Sequence, residues 1–83
     1  MDAEKMNIYH TTFEAQCPKN GELISYSLTI ETSERIWVET INEQIKSLAR
    51  TGFHETIADK LKQLGGKQTL VALHNNVTIT TIR

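Results

Sequence analysis

Residues 22–48 read ELISYSLTIETSERIWVETINEQIKSL, and inside this stretch the apolar period lengthens from two to nearly four. Up to Glu31 the alternation is that of a strand. Ile24, Tyr26, Leu28 and Ile30 fall on one face, and Leu23, Ser25, Ser27 and Thr29 on the other. After Thr32 the apolar residues are Trp37, Ile41, Ile45 and Leu48, the stripe of an amphipathic helix. Ser33 is placed to cap that helix, and Glu34 suits its positive end. Arg50 and Thr51-Gly52 mark its stop.

Working outward, Asn7–Gln16 also alternates, with Tyr9, Thr11, Phe13, Ala15 and Cys17 in phase. Between the two alternating runs lies Pro18-Lys19-Asn20-Gly21, a strong turn, so they predict an antiparallel hairpin. Downstream, Phe53, Ile57, Leu61 and Leu64 predict a second helix, closed by Gly65-Gly66. Gln68–His74 and Val77–Arg83 are rich in β-formers. Asn75-Asn76 between them predicts a type I′ turn, since Asn accepts positive φ. The expected architecture is α+β in the order β-β-α-α-β-β. An antiparallel four-stranded sheet carries two helices on one face, and the other face, with Ser25, Ser27, Thr29, Thr78 and Thr80, is half-polar. That open face suits either bulk water or a wet lumen in an oligomer.

Composition bounds the function. The 83 residues form a single domain, 1–83, of 9.4 kDa. A domain near this size hides only about 60% of its unfolded surface, so association is expected to supply part of the core. Nine Lys/Arg against ten Asp/Glu leave a net charge of −1, which argues against nucleic acid as a partner. Lys60, Lys62 and Lys67 are too few to change that. The single cysteine cannot form an internal disulfide. No apolar run approaches the ~20 residues that span a bilayer, and residues 1–6 lack the apolar core of a secretory signal. A soluble, cytoplasmic domain that does not engage membranes is expected, with residues 1–6 flexible.

Two positions invite a chemical reading. Cys17 ends the first strand beside a turn, where a rigid support presents a side chain to a loop; it also serves as a small hydrophobe. His54-Glu55 opens the second helix. There a carboxylate is favoured by the helix dipole, and is also placed to accept paired N–H bonds from a guanine- or pterin-like edge. Metal binding has little support: His10, His74 and Cys17 would need adjacent strands, and no ligand spacing recurs.

The element order, the size and the glutamate opening the second helix resemble the tunnelling fold (T-fold). Its subunits join sheet edges into barrels and bind purine- or pterin-like heterocycles between subunits. Within it, Cys17-Pro18-Lys19-Asn20-Gly21, Val38-Glu39 and Phe53-His54-Glu55, in that order, resemble the NADPH-dependent cyano-deazaguanine nitrile reductase family of queuosine biosynthesis, called QueF-like. The resemblance runs from Phe13 to Leu64. It implies Cys17 as the nucleophile that forms a thioimide and Glu55 as the base-recognition carboxylate. It also implies His54 and Glu39 as further substrate contacts, NADPH as cofactor, no metal, and a homo-oligomer. The chain departs from the family in having Ile24 where the proton-supplying acid stands, with Glu22 nearby, and Thr40-Ile41-Asn42-Glu43 in place of a lysine-containing cofactor motif. Three readings follow: an enzyme acting on a deazaguanine-like heterocycle, a non-catalytic T-fold homologue that binds a purine-like ligand or only assembles, and a protein–protein interaction module.

Overall fold

The alternation of residues 23–32 becomes strand β2 (Leu23–Thr32), which takes β1 (Asn7–Gln16) on one side and β3 (Lys67–His74) on the other. β4 (Val77–Ile82) lies beyond β3. In the computed structural model, which describes residues 5–83, the four strands form one antiparallel sheet in the order β1-β2-β3-β4. Helices α1 (Val38–Leu48) and α2 (His54–Leu61), the second prolonged by a 3-10 turn at Lys62–Leu64, are inserted between β2 and β3 and cover one face. The expected α+β order is therefore observed. Of the segment expected to be flexible, residues 1–4 lie outside the described residues, and Met6 is half-buried.

The inner faces agree with the alternation. Leu28, Ile30 and Leu70 from the sheet meet Ile57 and Leu61 from α2, all fully buried. Each such side chain contributes roughly 1.5–3 kcal/mol by leaving water. Asn75 and Asn76 have φ of 51° and 66°, as a type I′ turn requires. At Gly66, with φ of 72°, a Cβ would stand 2.7 Å from the Glu31 carbonyl oxygen, so only glycine lets the chain re-enter the sheet there. Beside it Gln68, a polar residue only 3% exposed, donates from Nε2 to the carbonyls of Leu61 and Gly65, both at 2.9 Å.

The helix starts differ from expectation. Ser33 does not cap α1; the cap position is Trp37, with φ −68° and ψ 131° and no side-chain capping bond. Residues 33–36 instead climb from the sheet to the helix layer, a separation of about 10 Å that needs several non-helical residues. The Thr32 hydroxyl accepts the Glu34 N–H at 3.1 Å, and the Tyr9 hydroxyl accepts that of Ile36 at 2.9 Å. Trp37 and Phe53, expected as the first members of their helical stripes, are 64% and 59% exposed. Both occupy extended cap positions, which turns them out of register with the stripe that follows.

Candidate functional site

Strand β1 ends in a tight loop. The Cys17 N–H donates to the Glu22 carbonyl and the Gly21 N–H to the Cys17 carbonyl, each at 2.8 Å, and Asn20 Oδ1 accepts the Glu22 N–H at 3.0 Å. The expected turn chemistry thus holds the Cys17 backbone from both sides. Its side chain stays on the inner face, where the free thiol is 5% exposed.

The link between the helices brings α2 to this thiol. Gln16 pairs in parallel with Thr51: its N–H donates to the Arg50 carbonyl at 2.8 Å, and its carbonyl accepts from the Gly52 N–H at 3.2 Å and the Thr51 hydroxyl at 3.1 Å. Gly52, at φ 147°, then turns the chain into α2. Thr51-Gly52 is more than a helix stop, because it is a one-bridge extension of the sheet that sets the start of α2 beside Cys17.

The result is a cavity of about 40 Å³ lined by Cys17, Ile24, Tyr26, Gly52, Phe53, His54, Ala72, His74 and Ile79. It joins the end of β1, the middle of β2, the end of β3, β4 and the first residue of α2. Phe13 stacks on Tyr26 with ring centroids 5.2 Å apart, and Tyr26 lies 5.4 Å from the His54 ring at 41°. These contacts fix the back wall. Polar groups are left over: both ring nitrogens of His54 and Nε2 of His74 are buried without a hydrogen-bond partner. Burial pushes the Tyr26 hydroxyl above its ordinary pKa, with Cys17 adding to the effect. Burial also lowers the pKa of His54; the Leu70 carbonyl, near the ring but outside hydrogen-bonding geometry, and Glu55 favour its cation, and Arg83 opposes it. At neutral pH the cavity is therefore polar while its tyrosine and His54 are held uncharged.

Of the residues singled out in the sequence, the structure brings Cys17 and His54 together. Glu55 occupies the first turn of α2, is exposed and does not line the cavity. Glu39 is exposed in the first turn of α1 and does not line it either. Glu22 contributes its backbone carbonyl to the loop, and Ile24 is a buried wall. Tyr26 was read only as part of the apolar face, Phe53 only as a helix anchor within the Phe53-His54-Glu55 motif, and His74 only as a possible metal ligand; the structure sets all three in the cavity lining. Tyr26 and Phe53 look like core residues in the apolar pattern, and only their proximity to Cys17 distinguishes them. His10, weighed with His74 as a metal ligand, sits on the open face, where Nδ1 meets the Thr29 hydroxyl at 3.0 Å. Among the described residues no cluster of three His, Cys, Asp or Glu is arranged to hold a metal ion.

The turn that stands in place of the lysine-containing cofactor motif does not fit a dinucleotide. Ile41 is buried in the core, Glu39 and Glu43 flank it with negative charge, and the lysine of α1, Lys46, lies in its last turn. Phosphates require the opposite sign of charge there.

No protein-family model matches the chain, and no curated protein matches it. Among solved structures, the crystal structure of the archaeosine synthase QueF-Like in the apo form superposes with a TM-score of 0.74, covering 95% of this chain and 91% of that one at 16% identity. The fold is T-fold-like. In this T-fold-like chain the cavity lies at the end of the sheet where β1 meets the start of α2, and among the described residues β1 and β4 are the edge strands, β1 bridged to Thr51 only at Gln16. Among the described residues no helix is long and apolar enough to cross a membrane.

Proposed function

We propose that this chain is a subunit of a homo-oligomer that binds a deazaguanine-like heterocycle at subunit interfaces and presents it to Cys17. The observation that carries the reading is the convergence of Cys17 with Phe53 and His54, which are 36 and 37 positions away in the chain, at one cavity, with Glu55 next along the first turn of α2. Phe53, 59% exposed at the cavity, offers a flat apolar surface on which a ring can stack. The Glu55 carboxylate is suited to accept two N–H bonds from a guanine-type edge. The Cys17 thiol adds across the ligand's nitrile. An S–C bond forms, one C–N π bond breaks, and the thiol proton ends on nitrogen, giving a thioimide. No reduction step is assigned, because the α1 turn does not fit NADPH.

A small-molecule site usually encloses 300–1,000 Å³, far more than the roughly 40 Å³ here. The missing walls are assigned to a second copy. Both edges are suited to pairing: β1 (NIYHTTFEAQ) and β4 (VTITTI) carry no Lys, no Pro and no bulge, the devices that keep edges apart.

The test is mass spectrometry after incubation with cyano-deazaguanine. The expected product is an adduct on Cys17 equal in mass to the whole nitrile, absent in Cys17→Ala. Calorimetry with guanine, pterin and deazaguanine analogues should lose affinity about 10- to 100-fold in Glu55→Ala, the worth of a charge-assisted pair. Binding without an adduct would move the protein to the non-catalytic reading. Neither binding nor adduct would leave only assembly or protein–protein interaction.

A further inference from the structure

The face of the sheet turned away from the helices carries a second group of reactive side chains, on the opposite side from Cys17. In the register of β1 with β2, His10 stands directly across from Thr29, and Thr12 directly across from Ser27. His10 is therefore diagonal to Ser27, a spacing that long side chains can bridge. Both contacts are made. His10 Nδ1 lies 3.0 Å from the Thr29 hydroxyl, and Nε2 lies 3.4 Å from the Ser27 hydroxyl.

Roles follow from the proton count. With the ring proton assigned to Nδ1 and given to the Thr29 oxygen, Nε2 is left to accept the proton of Ser27. That is a nucleophile, a base, and a group that orients the base. A nucleophile–base distance of 3.4 Å is long, as such bonds often are until a substrate closes on them. Thr29 orients the imidazole without the negative charge that a carboxylate would set beside its cation, so a slow catalyst is expected.

Ser27 also lines a hollow of about 290 Å³ on this face, together with Thr12, Ser25, Val71, Leu73 and Thr78. Small-molecule sites begin near that volume. Val71 and the exposed Leu73 offer an apolar floor for a short acyl chain. Thr12, Ser25 and Thr78 bear hydroxyls suited to donate to a carbonyl oxygen as it gains negative charge.

We infer that Ser27, His10 and Thr29 form an acyl-transferring site that cleaves small esters on the open face of the sheet. Ser27 Oγ bonds to the ester carbonyl carbon while its proton passes to His10 Nε2. The carbon–oxygen bond to the alcohol breaks, and the alcohol leaves with that proton. Water then adds to the acyl carbon and gives a proton to Nε2; the acid departs as that proton returns to Ser27. Thr29 is a positioning residue, because it acts through the imidazole. The inference does not depend on the role proposed for Cys17, which faces the helices.

The test is hydrolysis of p-nitrophenyl acetate by the protein as isolated, joined to a fluorophosphonate label located by peptide mass spectrometry. The label is expected on Ser27, and Ser27→Ala should lose both label and turnover. His10→Gln should lower kcat about 100-fold, the usual scale for a lost general base, with the unfolding midpoint unchanged. Thr29→Val should lower kcat with KM unchanged, and Thr29→Ser should restore it, a split that a merely structural threonine would not show. A label on Cys17 or His10 in place of Ser27 overturns the inference. So does the absence of label and turnover, or turnover that survives Ser27→Ala or His10→Gln.

Discussion

The two ends of α2 differ in how far their buried polar groups are satisfied. At the C-terminal end, Gln68 turns its amide inward and satisfies the carbonyls of Leu61 and Gly65, and the Lys62 ammonium reaches the Gly66 carbonyl at 2.5 Å. At the N-terminal end, His54 and His74 bring three ring nitrogens into the protein and give them no partner. Both ends thus keep unpartnered buried atoms, Gln68 Oε1 at one and the three ring nitrogens at the other, but only the C-terminal end also ties its side chain to the backbone by two hydrogen bonds. Unmet groups of this kind cost stability and are kept where they work.

Substitutions at the two ends can break this contrast. The largest effect is expected at Gly66. Alanine there must hold φ near 72° and drive a Cβ against the Glu31 carbonyl at 2.7 Å, so Gly66→Ala should lose about 2–4 kcal/mol in urea unfolding. A loss under about 0.5 kcal/mol would show that the re-entry to β3 is not tight.

Next comes Gln68→Leu. It keeps the volume but strands one buried and one half-buried carbonyl, and should cost about 1–3 kcal/mol while leaving the rate of Cys17 alkylation unchanged. A slowed thiol would mean that the two ends are coupled rather than separate.

The smallest effect, and the one of opposite sign, is expected for His54→Leu. Removing two unpartnered nitrogens should leave stability at pH 8 unchanged or raise it by up to about 1 kcal/mol. The pH dependence gives a second check. Because burial lowers the folded-state pKa of His54 below its ordinary value, the unfolded chain binds its proton first as the pH falls. Wild-type stability should therefore decline below about pH 6.5, and part of that decline should vanish in His54→Leu. If the variant instead unfolds more easily at pH 8, the nitrogens have partners and the contrast between the ends fails.

How much of this was legible in the sequence varied with the range of the contacts. Strand and helix periods, the Asn75-Asn76 turn and the closure of α2 at Gly65-Gly66 all follow from neighbours within a few residues, and each was readable. Ser33 misled because a good capping residue at a change of period is a local signal, while the climb to the helix layer is a tertiary demand. Gln68 was unreadable as a core residue because nothing local shows the two carbonyls that need it. Cys17, His54 and Glu55 stood out through their motifs. Glu39 did too, yet the structure leaves it away from the cavity.

By itself the sequence determined an α+β order, a sheet with one apolar and one half-polar face, and a thiol at the end of a strand. Those properties come from side-chain period and turn chemistry, which act over short spans of chain. Only the tertiary structure decided that Cys17, Tyr26, Phe53, His54 and His74 share one cavity. That meeting depends on the Gln16–Thr51 bridge and on the register of β2 with β3, pairings between residues at least 35 apart that no local pattern encodes.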